Sequence, residues 1–174
     1  MTDLKQFIRD VPNFPKPGIM FRDITPLLAN GPMWRQTVNQ IADRYRGRID
    51  IVLGIESRGF LVGSAVAYTL GCGIAVVRKP GKLPAAKLHA TYALEYGSDM
   101  LEIHQDAITP GSRVLVVDDL LATGGTADAA ISLARQLGGE VTAAAFIIEL
   151  TFLPGRKRLA PCEVFSLLQY DSEA

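Results

Sequence analysis

Apolar runs too short for helices alternate along this chain with longer segments of helical periodicity. No other feature constrains the fold as tightly. The runs cover residues 51–55, 74–77, 113–117, 141–148 and 164–168, and each reads as a strand. They are apolar at consecutive positions rather than at every second one, the pattern of strands buried on both faces. Among the helical segments, Trp34, Val38, Ile41, Ala42 and Tyr45 recur on one face, and residues 60–70 are apolar nearly all round, as in a buried helix. Ala127, Ala130, Ile131, Ala134 and Leu137 make a further face, closed by Gly138 and Gly139. This order predicts one α/β domain over residues 1–174, with a mainly parallel sheet flanked by helices.

Composition excludes several classes. With 48% hydrophobic and 21% charged residues in a chain of 174, and no block of like charge, extended disorder is not expected. The longest apolar stretches fall well short of the roughly 18 residues that suggest a membrane span. Eighteen Lys and Arg balance eighteen Asp and Glu, so nothing suggests a nucleic-acid partner. Cys72 and Cys162 make neither a CxxC pair nor a metal spacing, and the N-terminus has no basic region followed by an apolar run. Both observations point to a reducing, cytoplasmic setting without a secretory signal.

Two stretches break the alternation. Residues 11–32 read as irregular, carrying Pro12, Pro15, Pro17, Pro26 and Pro32 with Gly18 and Gly31. Residues 78–111 have no helix-length apolar face. They open with Arg78, Lys79, Lys82 and Lys87, alternate weakly over 91–96, turn at Gly97–Asp99 and continue over 101–104. That pattern predicts a hairpin within a long excursion, of the kind that serves as a lid or binding loop. Lys87 and Glu102 read as solvated here, His89 and His104 as isolated surface imidazoles, and Arg156, Lys157 and Arg158 as a solvated turn.

The sharpest local signal runs from Val114 to Thr126: an apolar strand ending in Asp118 and Asp119, then Leu120, Leu121, Ala122, Thr123, Gly124, Gly125 and Thr126 opening a helix. Backbone amides of 122–126 at a helix N-terminus attract an anion. Gly124 and Gly125 permit close approach, and the Thr123 and Thr126 hydroxyls can donate to phosphate oxygens or cap the helix. Two adjacent carboxylates about a ribose away can accept hydrogen bonds from the 2′ and 3′ hydroxyls of a sugar whose 5′-phosphate fills the loop. A Walker B reading fails for want of a P-loop: Gly81 and Lys82 are followed by Leu83, and Val76 stands where the first glycine belongs. Upstream, Glu56, Ser57, Arg58 and Gly59 fall where the first core strand meets its helix, and Arg58 can fork onto phosphate oxygens there.

The run over 114–126 resembles the phosphoribosyl pyrophosphate signature of the type I phosphoribosyltransferases. Residues 21–26 (FRDITP), 56–60 (ESRGF), 78–83 (RKPGKL), 94–97 (LEYG) and 167–170 (LLQY) narrow the likeness to the adenine-using members. It spans residues 8–170 and implies the type I fold, with an N-terminal hood over residues 1–33 and a long flexible lid over 78–111. It implies that Asp118, Asp119 and 122–126 hold ribose and 5′-phosphate. Glu56, Ser57, Arg58, Arg78, Lys79 and Lys82 would serve the pyrophosphate, from a loop that in the family often holds a non-proline cis peptide.

Backbone groups of Met20 and Arg22 would meet the adenine edge, with Phe21 and Leu120 near the ring. Glu95 would manage the purine proton, with Arg58 beside the reaction centre. The resemblance further implies Mg²⁺ carried mainly by the substrate, with no direct protein ligand, and a homodimer. A sister enzyme acting on xanthine, hypoxanthine or guanine would keep the sugar-phosphate loop and change the hood. A phosphoribosyl pyrophosphate sensor controlling transcription would carry a DNA-binding module or a basic face, and neither is visible in the sequence.

Overall fold

A short 3₁₀ turn (Leu4–Phe7) opens the chain, followed by β1 (Arg9–Pro12) and β2 (Met20–Asp23), an antiparallel ribbon. The proline-rich stretch is therefore more regular than its composition implies, because prolines at a ribbon edge and in the first turn of a helix cost no hydrogen bond. Two helices follow, α1 (Thr25–Ala29) and α2 (Gly31–Tyr45). The Asn30 side chain caps α2 by accepting from the Met33 amide at 3.1 Å, which starts the helix one turn before the Trp34 face. The computed structural model describes residues 3–93 and 98–173.

The core alternates as the apolar runs require: β3 (Ile51–Ile55), α3 (Arg58–Leu70), β4 (Gly73–Val77), the hairpin β5 (Lys87–Ala93) and β6 (Ser98–His104), β7 (Arg113–Leu121), α4 (Gly125–Gln136), β8 (Glu140–Leu150), α5 (Gly155–Leu159) and β9 (Glu163–Tyr170). The central sheet is parallel throughout, in the order β4-β3-β7-β8-β9. Along β7, Val114 and Val116 enter one core while Leu115 and Val117 enter the other, so consecutive apolar residues are consumed on both faces. One core lies under α4 and the hairpin; the other lies under α1, α2 and α3.

Three expectations need correction. Helix α3 is not buried all round: Leu61 and Tyr68 face outward, because the sheet covers only one side of it. The 78–111 excursion is anchored, with Leu101 and Ile103 fully buried in the core under α4. Residues 156–158 belong to α5. The Arg156 guanidinium binds the buried Glu149 carboxylate (2.5 and 2.8 Å) and the Val164 carbonyl, and Arg158 pairs with Asp128.

Candidate active site

Strands β3 and β7 are neighbours, and the chain leaves β3 toward β4 on one side and returns to β7 on the other. Their carboxyl ends therefore flank the switch point at which open α/β sheets bind ligands. That topology brings together two sequence segments some sixty residues apart. Arg58, the first residue of α3, ion-pairs with Asp119 across the gap. Gly59 permits this approach: a Cβ there would lie 2.9 Å from both Asp118 Oδ1 and the Val117 carbonyl.

Strand β7 continues through the two acids to Leu121, so both carboxylates stand on the strand itself. Asp118 is pushed well above the usual carboxylate range by burial and then by the neighbouring Asp119, with Arg58 opposing. The loop that follows, with Arg58 and residues 118–127, encloses a cavity of ≈ 200 Å³. Gly124 precedes α4 with φ of 82°, and no side chain caps that helix, so its first amides face the cavity without a side-chain acceptor. The loop is supported from behind by α5, where a Cβ on Gly124 would lie 3.0 Å from the Gly155 carbonyl.

The basic residues after β4 form a second cluster. Glu56 accepts from the Lys79 amide (2.8 Å) and from Arg78 Nε (3.4 Å), and it pairs with Lys82. Burial alone would raise the Glu56 carboxyl, but Lys82, the Lys79 amide and Arg78 hold it below its ordinary value. The Lys79 ammonium contacts the Tyr92 hydroxyl (3.0 Å) and pairs with Asp99, both on the hairpin. Ser57 lies in the turn between β3 and α3, and the Glu56–Ser57 peptide is cis.

A third region adjoins the first. Met20, Phe21, Arg22 and Leu120 line one cavity of ≈ 330 Å³, and it shares Arg58, Leu120, Ala122 and Thr123 with the phosphate-loop cavity. The Arg58 guanidinium lies 5.3 Å from the Phe21 ring centre. Arg22 lines the cavity, and its side chain is held by Asp10 (2.6 Å), the Tyr170 ring (4.1 Å) and the carbonyl (3.2 Å) of Glu173, which lines the same cavity.

Sequence reasoning missed Leu150, Phe152 and Leu153, which also line this cavity. Their position just after an apolar run, at the same sheet edge, was the available signal. It missed Tyr92 and Asp99 as partners of Lys79. Glu102 is not solvated: it is only 7% exposed and pairs with the partly exposed Lys87 at 3.1 Å. Glu95 lies outside the described residues. His104 accepts from the Ala85 amide at 3.3 Å, and His89 is exposed.

A phosphoribosyl transferase domain model matches residues 33–163. The adenine phosphoribosyltransferase of Trichlorobacter lovleyi is 54% identical over 98% of this chain and 100% of its own length. The chain belongs to the adenine phosphoribosyltransferase family. Among solved members, the Thermoanaerobacter pseudethanolicus enzyme superposes with a TM-score of 0.94 at 49% identity, covering 96% of this chain and 98% of that one. The Saccharomyces cerevisiae enzyme, solved with adenine and an imino-altritol bisphosphate, gives 0.90 at 43% identity over 95% and 96% of the two chains. The fold is accordingly the type I phosphoribosyltransferase fold. The domain model begins after β2, so the hood residues 20–22 lie outside it. The likeness to adenine phosphoribosyltransferases over nearly the full chain includes them.

Proposed function

We propose that this chain transfers the 5-phosphoribosyl group of phosphoribosyl pyrophosphate to N9 of adenine, giving AMP and pyrophosphate with inversion at C1′. One observation carries this reading: a cavity at the uncapped start of α4 and a mainly apolar cavity meet at Arg58, Leu120, Ala122 and Thr123. A ribose spanning that junction would have its phosphate on the loop and its C1′ facing the base. The solved yeast relative binds adenine together with a bisphosphate, which supports the same substrate pair.

Each region has a chemical task. Amides of 122–126 hold the 5′-phosphate while Asp118 and Asp119 accept from the ribose hydroxyls. Arg58, Arg78, Lys79 and Lys82 receive the pyrophosphate, exchanging their present carboxylate partners for phosphate oxygens and stabilising charge on the leaving group. Glu56 and Ser57 shape that loop. Backbone groups of Met20 and Arg22 match the donor at adenine N6 and the acceptor at N1, whereas a 6-oxo purine would set a carbonyl against a carbonyl. As N9 bonds to C1′ and the bond to pyrophosphate breaks, Glu95 handles the imidazole proton. The part of the 78–111 excursion that is not anchored in the core would close over the reactants and exclude water.

Mg²⁺ fits this donor set as a substrate-borne ion. Among the described residues no three His, Cys, Asp or Glu side chains gather to hold a metal. Asp119 is paired with Arg58, so an ion near the acids would take most ligands from substrate oxygens and water, as Mg²⁺ readily does. When bound it would neutralise pyrophosphate charge. We place the enzyme in the cytoplasm as a homodimer. No helix among the described residues is long and apolar enough to cross a membrane.

The test is a product assay with phosphoribosyl pyrophosphate, Mg²⁺ and each of adenine, guanine, hypoxanthine and xanthine. AMP alone is expected. A different nucleotide would overturn the hood assignment. Binding of phosphoribosyl pyrophosphate with no nucleotide formed would favour a sensor.

A further inference from the structure

The pyrophosphate cations sit on a turn, and a turn needs something to fix it. Arg78, Lys79 and Lys82 follow β4 over five residues that include Pro80 and a left-handed Gly81 (φ 81°). From the sheet side, Glu56 holds this turn through its contacts to Lys79, Arg78 and Lys82. From the hairpin side, one residue does the equivalent. The backbone of Glu102 bridges Arg78 in both directions, at 2.9 and 2.8 Å. Its carboxylate accepts from the Gly81 amide at 3.1 Å and from Lys87 Nζ at 3.1 Å.

Glu102 lies opposite His89 in the hairpin ladder, so it stands at the seam between the hairpin and the turn. Burial alone would raise its carboxyl, yet Lys87 and the Gly81 amide hold it below the ordinary glutamate value. A charge kept in so closed a place, directed at a backbone amide between Lys79 and Lys82, has a defined consequence. It constrains the backbone from which those two side chains leave, while Asp99, Tyr92 and Glu56 hold the ammonium groups themselves.

We propose that Glu102 is a positioning residue for the pyrophosphate subsite, acting through Gly81 on Lys79 and Lys82 without touching substrate. This rests on the assignment of those cations to pyrophosphate. It predicts a defect confined to one half of the bound substrate, because the 5′-phosphate loop lies on the other side of the switch point.

The experiment compares pyrophosphate and AMP binding by calorimetry, together with steady-state kinetics, for the wild type, Glu102→Ala and Glu102→Gln. Glu102→Ala should weaken pyrophosphate binding and raise the KM for phosphoribosyl pyrophosphate about tenfold, the scale of a lost charged hydrogen bond. AMP binding should stay within about twofold of wild type, well under the effect of one lost hydrogen bond. Glu102→Gln keeps an acceptor for Gly81 and should recover pyrophosphate binding to within about threefold. If Glu102→Ala does not fold, Glu102→Asp, which withdraws the carboxylate by one methylene, carries the same prediction. Equal weakening of both ligands, or of neither, would overturn the proposal. Wild-type protein that binds no pyrophosphate and makes no AMP would instead overturn the function on which it rests.

Discussion

The two anion sites proposed for this molecule would bind phosphate by opposite means. The loop after β7 presents backbone amides at the uncapped start of α4, and its shape is fixed by the left-handed Gly124 packed against Gly155. The turn after β4 presents flexible side chains, and each of its cations already has a carboxylate: Arg78 and Lys82 share Glu56, and Lys79 holds Asp99. Arg58, between the two sites, holds Asp119. On the proposed assignment the first site would change little on binding. The second would have to exchange partners, and an exchanging site suits a group that arrives attached and must leave as product.

Breaking the rigid site should have the largest effect. Gly124→Ala puts a Cβ 3.0 Å from the Gly155 carbonyl, at a backbone angle that L-residues adopt only at a cost of about 1–2 kcal/mol. Displacing the amides should lower kcat/KM for AMP formation by about 100-fold or more, the scale seen when preorganised donors are lost. A variant within a few-fold of wild type would show that the loop tolerates movement.

The next effect is on stability, through the support of α5 behind that loop. Arg156→Ala would leave Glu149, 2% exposed, with Ser166 at 2.5 Å as its remaining side-chain partner among the described residues. A loss of about 1–2 kcal/mol near neutral pH is expected, since a buried carboxylate loses a cation whose own side chain is half exposed. In the wild type, the Arg156 bond, opposed by burial and helped by Ser166, holds the Glu149 carboxyl below its ordinary value. That stabilisation is present above the ordinary glutamate pKa and is lost as pH falls through the lower folded value. The variant's deficit should therefore shrink on acidification, as denaturant unfolding at neutral pH and below the ordinary glutamate pKa would reveal. A deficit independent of pH would assign the loss to packing.

The smallest effect sharpens the exchange itself. Glu56→Gln keeps an acceptor for the Lys79 amide and removes the charge competing for Lys82 and Arg78. Pyrophosphate binding should tighten about threefold, in keeping with partly exposed ion pairs worth under about 1 kcal/mol each. Its salt dependence should also exceed that of AMP. Weaker binding would mean that Glu56 orients these cations more than it competes for them.

The rigid site was the legible one. Strand, acids, small loop and helix are contiguous over 114–126, and the chemistry of each residue follows from its place in that run. Apolar periodicity likewise located the five core strands. The exchanging site was legible as its cations with Glu56 and Ser57, but not as the ion pairs that hold them. Its partners Glu56, Tyr92, Asp99 and Glu102 come from four places in the chain, and tertiary structure alone brings them together. Proline content hid the β1–β2 ribbon for a related reason: antiparallel pairing tolerates prolines along an edge. Arg156–Arg158 are exposed, as read, but they lie in α5 rather than a turn, and Arg156 also serves Glu149, seven residues before it at the end of an apolar strand.

The most direct test of two cavities joined by one ribose is the crystal structure of this protein with AMP. The phosphate should accept from the amides of 123–126, the ribose hydroxyls should face Asp118 and Asp119, and the base should lie between Phe21 and Leu120. A base lodged outside the hood cavity, or a phosphate held by Arg78 and Lys79 instead of the loop, would contradict the assignment of both sites.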